Sequence, residues 1–272
     1  MTEKEYRQHP AISRSELWAL NKSPEYFKYR REHPIEPTPA MLFGQVAHKL
    51  LLQPEDFETD FILAPDIDRR TKAGKEVWNE FLNAAADRTV VPADMYETAL
   101  AMSEKAMSEP LVRKLLAGQK EQPFFWTDAD TGEQCKCRTD CLTWIDGDEL
   151  PTVVDYKTTT NAKTEIFNSE IFRYGYHFQS AMYSEGVRRC LNLPELPDFV
   201  CIAQEKTPPF SLNVVTIPHE VMLAGMDVFR EYIGIYHECK QTGYWYSYTG
   251  ALNEPNEAFL PGWMQLGVED DE

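Results

Sequence analysis

Asp140, Asp155 and Lys157 are the residues whose types and spacing could do chemistry. Asp155 and Lys157 stand two apart, just after the apolar run Thr152-Val153-Val154, a stretch that reads as a strand. Strand side chains alternate between faces, so Asp155 and Lys157 point the same way, with Val153 before them on that face. Asp140 lies in the stretch 133–143, which reads as the preceding strand, and Asp146-Gly147-Asp148 reads as the turn between the two. Paired as a hairpin, the strands set Asp140 beside Asp155 on one side of the sheet. Two carboxylates and an ammonium then converge. Carboxylate oxygens suit a hard divalent ion such as magnesium, and a lysine beside it can hold a water or help deprotonate it. Asp-x-Lys alone equally describes a strand end with solvated charges, so the elements around it carry the decision.

Those elements follow from patterning. Residues 10–33 open with Ser13 or Ser15 as a helix cap; that helix stops near Ser23-Pro24, where a second begins. Its end carries Lys28, Arg30 and Arg31, which fit either a phosphate or a solvated helix terminus. A proline-rich connector (34–39) leads to a mostly buried helix with Met41, Leu42, Val46, Ala47, Leu50 and Leu51, ended by Pro54. Gly44 is expected to permit close approach of another element. His48 lies one turn on, on the same face, as either a core histidine or a third ligand for a divalent ion. The densest basic run, Arg69, Arg70, Lys72 and Lys75, surrounds Gly74 ahead of a helix over about 75–86. Cations at a helix N-terminus oppose its dipole, so this run suits an anion such as a phosphodiester backbone, or else a solvated loop. One helix is expected over 93–117, with a Met-, Ala- and Leu-rich core face. One or two more span 164–192, where Gln179 and Tyr183 share a face and Tyr176, Met182 and Val187 read as packing residues. Strands at 198–206 and 210–217 form a hairpin around Pro208-Pro209 with Glu205 and Lys206 at its mouth. A long helix from Pro218 to Gln241 and the aromatic segment 243–246 close the chain.

At 272 residues, 43% hydrophobic and 12% aromatic, the chain can bury a sizeable core. We read one domain over 1–272: an N-terminal helical segment (1–40), a catalytic core (41–217) and a C-terminal helix and tail (218–272). No apolar run reaches bilayer length and no signal-peptide core is present, so the expectation is a cytoplasmic protein with no membrane partner. The six cysteines are irregularly placed, which suits a reducing compartment. Cys135, Cys137 and Cys141 alternate onto one strand face and read as small buried apolar groups; no C-x-x-C pair suggests a metal cluster. A net charge of −17 excludes a general nucleic-acid coat protein, while leaving room for an enzyme with a local DNA groove. Four of the acids lie in the tail Glu269-Asp270-Asp271-Glu272.

The ordered set Gly44…His48, Arg138-Thr139-Asp140, Asp155-Tyr156-Lys157-Thr158 and Gln179…Tyr183 resembles the signature of RecB-type nucleases in the PD-(D/E)XK superfamily. The stretches Asp68–Lys75 and Cys137–Asp140 are similar to the RecE-like family, the exodeoxyribonuclease VIII nuclease domain and its phage relatives, from about Ile12 to the tail. The resemblance implies an α/β, restriction-endonuclease-like fold with a central mixed β-sheet flanked by helices. It implies a magnesium-dependent exodeoxyribonuclease, with manganese as a substitute, acting 5′-to-3′ on double-stranded DNA ends for recombination. His48, Asp140, Asp155 and the Tyr156 carbonyl would hold the metal, Lys157 would position and activate water, and Gln179 and Tyr183 would support the site. Arg30, Arg31, Arg69, Arg70, Lys72 and Lys75 are the candidates for DNA contact. A homo-oligomeric ring and a RecT-like single-strand annealing protein are the implied partners. No cysteine precedes Cys135, so no iron–sulfur cluster is expected, and no helicase motif implies ATP. A structure-specific endonuclease of the same fold and a catalytically silent DNA-binding module stay open as alternatives; a zinc-binding regulator built on the three clustered cysteines is a more distant one.

Overall fold

The computed structural model describes residues 1, 3–145, 147–248 and 255–259; Asp146 of the expected turn and the acidic tail lie outside them. The chain opens with α1 (Glu3–Gln8) and the short strand β1 (Ile12–Ser13). Ser13 caps α2 (Arg14–Leu17): its hydroxyl accepts from the Glu16 N–H while Glu16 accepts from the Ser13 N–H, a reciprocal pair that fixes the helix start. After a 3-10 turn over Trp18–Asn21, Ser23 caps α3 (Pro24–Glu32), with Pro24 in the first turn where its missing N–H goes unneeded. Thr38 caps α4 (Pro39–Leu52), and α5 (Phe57–Asp60) leads into β2 (Phe61–Leu63). Next come α6 (Lys72–Ala85) and β3 (Thr89–Val91), which pairs in parallel with β2 as a small separate sheet. Strands this short carry too little alternation to be read from sequence. Thr71 caps α6, so Lys72 and Lys75 stand inside its first turn rather than ahead of it.

The helix expected over 93–117 is broken in two, α7 (Ala93–Ser108) and α8 (Pro110–Leu115). Glu109 between them is extended (φ −83°, ψ 122°), because the ring of Pro110 excludes helical backbone before it. Then follow β4 (Gln119–Thr127), β5 (Gln134–Thr143), β6 (Thr152–Thr159), α9 (Thr164–Arg173) and α10 (Tyr176–Leu191). The last elements are β7 (Asp198–Glu205), β8 (Leu212–Ile217) and α11 (His219–Thr242). The sequence reading had no strand at β4. Pro123 sits inside it, which demotes a stretch to an edge strand, and β4 pairs only with β5.

The central sheet runs β1-β5-β6-β7-β8, with β4 on the other side of β5. It is mixed: β6 and β7 are parallel across the α9–α10 crossover, while the β4–β5, β5–β6 and β7–β8 pairs are antiparallel. One edge of β5 is shared. Its start pairs with β1 at Ile12↔Cys135 and its end pairs with β6 only from Cys141↔Val154 to Thr143↔Thr152. A hydrophobic layer with Leu17, Phe27, Phe167, Phe178, Met182 and Phe229 covers one face through α2, α3, α9, α10 and α11. A second, with Val46, Leu50, Leu51, Ala99, Ala106 and Leu115, covers the other through α4, α7 and α8. The expected mixed sheet flanked by helices is therefore present. The three clustered cysteines are fully buried as expected but do not share a layer: Cys135 and Cys137 join the first, Cys141 the second. The β4–β5 ladder is interrupted at the Glu121–Asp140 step, where Glu121 has φ +54°, and beyond it the faces of β5 exchange layers.

Helix α10 seats against α11 at buried Gly225, where an added Cβ would lie 2.0 Å from the His177 carbonyl oxygen. Gly234 on the same helix faces open space. Gly225→Ala should therefore lose about 1–3 kcal/mol of unfolding free energy by overpacking. Gly234→Ala should gain about 0.5–1 kcal/mol from helix propensity. Urea denaturation of the two variants checks both signs.

Candidate active site

The site begins where β5 and β6 part. One step beyond Cys141↔Val154 the register sets Asp140 opposite Asp155, and there the ladder ends. The N–H of Tyr156 donates instead to Asp140 Oδ2 at 2.7 Å, so a side-chain carboxylate takes the place of a strand carbonyl. Alternation along β6 turns Tyr156 to the opposite layer, where its hydroxyl donates to Gln204 Oε1 at 2.6 Å and Gln204 donates to the Met102 carbonyl. Asp155 and Lys157 share the other side, as expected from their spacing.

Helix α10 reaches Asp155 from that side. Gln179 Nε2 donates to Asp155 Oδ1 at 2.5 Å, and Lys157 Nζ lies 2.6 Å from Oδ2. The second contact is a close ion pair, which holds the buried Oδ2 against the Lys157 ammonium. Tyr176, expected only to pack, lies under the Lys157 ammonium, its ring centre 4.9 Å away. Tyr183, one turn beyond Gln179, is half-buried within the first layer and lies close enough to feel Asp155 and Asp140; burial pushes its phenol up. The start of α10 is held by Arg14, which donates to the carbonyls of Tyr174 and Gly175. Gly175 has φ +69°, and an added Cβ would lie 2.6 Å from the Trp18 ring.

Helix α4 approaches from the other layer. His48 Nδ1 lies 3.4 Å from Asp140 Oδ2, with its ring edge-on to Tyr156 at 5.2 Å. Gly44 is not essential to this approach, since an added Cβ would lie at an ordinary 3.9 Å from Thr158 Oγ1. Glu121 on β4 completes the group: one of its carboxylate oxygens, a His48 ring nitrogen and an Asp140 oxygen all lie within 4.8 Å of one another. Arg138 Nε balances Glu121 at 2.7 Å. Glu121 was missed because β4 was; once that strand is placed, counting the register across from Asp140 leads to it.

The electrostatics follow from burial and charge. Burial and then the charge of Asp155 push the Asp140 carboxyl up to about 7, against help from Lys157 and the Tyr156 N–H. Burial, then the Lys157 charge, holds His48 below its ordinary value, so its ring is neutral and free to act as a ligand near neutral pH. Burial opposes the Lys157 ammonium, but Asp155 and its other neighbours outweigh it and leave its pKa above the ordinary value. A buried carboxylate paired with Lys157, a second carboxylate whose pKa is raised by burial and by the first, and a neutral imidazole form a donor set that fits a divalent cation.

The basic candidates lie on other elements. Arg30 reaches the Tyr26 hydroxyl, Arg31 pairs with Glu16 at 3.6 Å, and Arg69 stacks over Trp78 at 4.5 Å. Arg70 grips Asp68 through two hydrogen bonds of 2.9 and 3.1 Å. Lys72 and Lys75 are exposed in the first turn of α6. None of these six stands on the strands and helices that carry the carboxylates.

Residues 13–255 match a family described as "PDDEXK-like domain of unknown function (DUF3799)". No curated protein matches the sequence. Among solved structures, a chain from Eubacterium rectale described as a "Putative exonuclease" superposes with a TM-score of 0.63 at 14% identity, covering 98% of each chain. That likeness is one of fold. A second, SSO0001, aligns at a TM-score of 0.31 and 12% identity over 72% of this chain and 87% of its own, too distant to carry an argument. Among the described residues, no helix is long and apolar enough to cross a membrane.

Asp140 binds its proton more tightly folded, at about 7, than at the ordinary 3.8, so between these values the native state holds a proton that the unfolded chain releases. Stability from this group is present at low pH and lost as pH rises through that window, by at most about 1.4 kcal/mol per pH unit. Asp140→Asn removes the titration while keeping an acceptor for Tyr156. With a chelator present, its unfolding free energy relative to wild type should climb between about pH 4 and pH 7 and level off above. Urea denaturation across that range measures it; a constant difference would refute the assignment.

Proposed function

The chain belongs to the PDDEXK-like family DUF3799, and on that premise we propose that it is a magnesium-dependent exodeoxyribonuclease. It degrades double-stranded DNA from its ends in the 5′-to-3′ direction and leaves 3′ overhangs for recombination by strand annealing. One observation carries the hydrolytic reading: Asp140, Asp155 and Lys157 meet where β5 and β6 separate, with Gln179 and His48 closing in from opposite layers. Acting from ends, the direction of travel, the ring-shaped homo-oligomer and the RecT-like annealing partner rest on the RecE-like character of Asp68–Lys75 and Cys137–Asp140.

A divalent ion held by Asp140, Asp155, His48 and the Tyr156 carbonyl would stabilise charge developing on the phosphate oxygens and leaving group and acidify a water. Asp140 would give up its proton to take part; because its pKa is raised to about 7, metal binding there releases a proton near neutrality and is favoured as pH rises. Lys157 stays an ammonium beside Asp155 and the Tyr176 ring. It therefore holds the water and a phosphate oxygen in place rather than accepting a proton. Gln179 fixes the orientation of Asp155, and Tyr183 supports the site or orients the DNA backbone. Arg30, Arg31, Arg69, Arg70, Lys72 and Lys75 supply DNA contacts away from the reacting phosphate, and the acidic remainder of the surface discourages indiscriminate adhesion.

Linear duplex labelled at the 5′ or the 3′ end, beside a closed circle, with magnesium or chelator, tests the reading. Early magnesium-dependent release of the 5′ label with an intact circle is the expected result. A cut circle moves the protein to a structure-specific endonuclease, and no cleavage leaves a DNA-binding module. Lys157→Ala should lower cleavage by at least about 100-fold while DNA-end binding stays within a few-fold. Asp155→Ala, checked for folding by circular dichroism, should lose both cleavage and magnesium binding. A Lys157→Ala enzyme cutting at the wild-type rate would sink the assignment.

A further inference from the structure

Glu121 lies outside every motif that brought the site to light. It sits in the middle of β4, between the Lys120↔Cys141 and Gln122↔Thr139 pairs, directly across from Asp140. Among the described residues four non-glycine positions have positive φ. Ala86 and Asn192 end helices and Phe210 lies in the turn before β8; Glu121 alone stands inside a strand. A left-handed residue in a ladder is what glycine does cheaply, so a glutamate there carries a backbone cost that points to a use for its side chain. That side chain is turned inward, with one of its carboxylate oxygens within 4.8 Å of His48 and Asp140 ligand atoms.

We propose that Glu121 is a ligand of the divalent cation held by His48 and Asp140, a third carboxylate in the site; this rests on the metal-dependent reading above. The charges agree. Asp140, Asp155 and Glu121 gather beside Lys157 and Arg138, with Arg14 near enough to act on Asp155 and a neutral imidazole between. A divalent cation held there adds positive charge and makes the site attractive to a phosphate. Arg138 holds Glu121 in place when no cation is bound and competes with the cation for the same carboxylate. With His48 as a nitrogen donor beside the carboxylates, manganese can stand in for magnesium as the probe.

Manganese binding, followed by paramagnetic resonance of the free ion in the full-length protein without DNA, tests this apart from activity. Glu121→Gln should weaken manganese binding about tenfold or more, since it keeps shape and backbone but removes a charged ligand. Arg138→Gln breaks the same ion pair yet should tighten binding about threefold, because it removes a competing cation beside the site. Opposite shifts support the ligand role. Wild-type affinity in Glu121→Gln, or equal losses in both variants, would mean that Glu121 serves only to pair Arg138, and would overturn it. If the wild-type protein binds no manganese or magnesium at all, the metal-dependent reading falls first and this inference with it.

Discussion

The site depends on one local departure from regular sheet structure. After three paired steps, β5 and β6 separate at Asp140 and Asp155, and the Tyr156 N–H that would have continued the ladder turns to an Asp140 carboxylate oxygen. A buried backbone donor cannot be left unpaired without loss comparable to a hydrogen bond, so the fork is possible because an acidic side chain stands at its mouth. The same substitution puts two carboxylates side by side in a place of low polarity. Burial first, and their mutual repulsion second, raise the Asp140 value, and a cation between them would relieve both.

The rest of the molecule holds that arrangement from two sides. On one, α10 delivers Gln179 to Asp155; its start is pinned by Arg14 and Gly175 and its back is packed against α11 at Gly225. On the other, α4 delivers His48, while the Tyr156–Gln204–Met102 chain of hydrogen bonds ties β6 and β7 to α7. Neither helix alone could hold both carboxylates. Because β6 alternates faces, Asp155 and Lys157 serve the site while Val154 and Tyr156 between and beside them serve the second core. Chemistry and packing are thus written on opposite sides of one strand.

Electrostatic roles divide along the same lines. Lys157 is a neighbour to Asp155 before it is a partner to any substrate, and Tyr176 beneath it reinforces the charged form. Its contribution is a fixed positive charge. Asp140 is the group whose charge changes near neutrality, so a cation bound there would displace its proton. The basic residues on α3 and at the start of α6 lie on separate elements from the carboxylates.

Much of this was legible in the sequence where local rules apply. Two-residue spacing put Asp155 and Lys157 on one face, a four-residue interval put Gln179 and Tyr183 on another, and Ser13, Ser23 and Pro24 marked helix starts that the structure keeps. The hairpin of β5 and β6 follows from the same periodicities, whereas the mixed sheet flanked by helices was what the family resemblance implied. Single-residue conformations and long-range pairing were not legible. Pro110 split one expected helix, Pro123 masked β4, and the exchange of faces along β5 sent Cys141 to a different layer from Cys135 and Cys137. Glu121, Arg14 and Tyr176 act through neighbours far away in the chain, at the fork or at the helix that faces it. The sequence by itself determined which groups were chemically able to form a metal-binding hydrolytic centre, because alternation and helical period are properties of a few adjacent residues. Only the tertiary structure decided where the two strands part and which carboxylates meet there, because a break in a ladder depends on all the strands and helices packed around it.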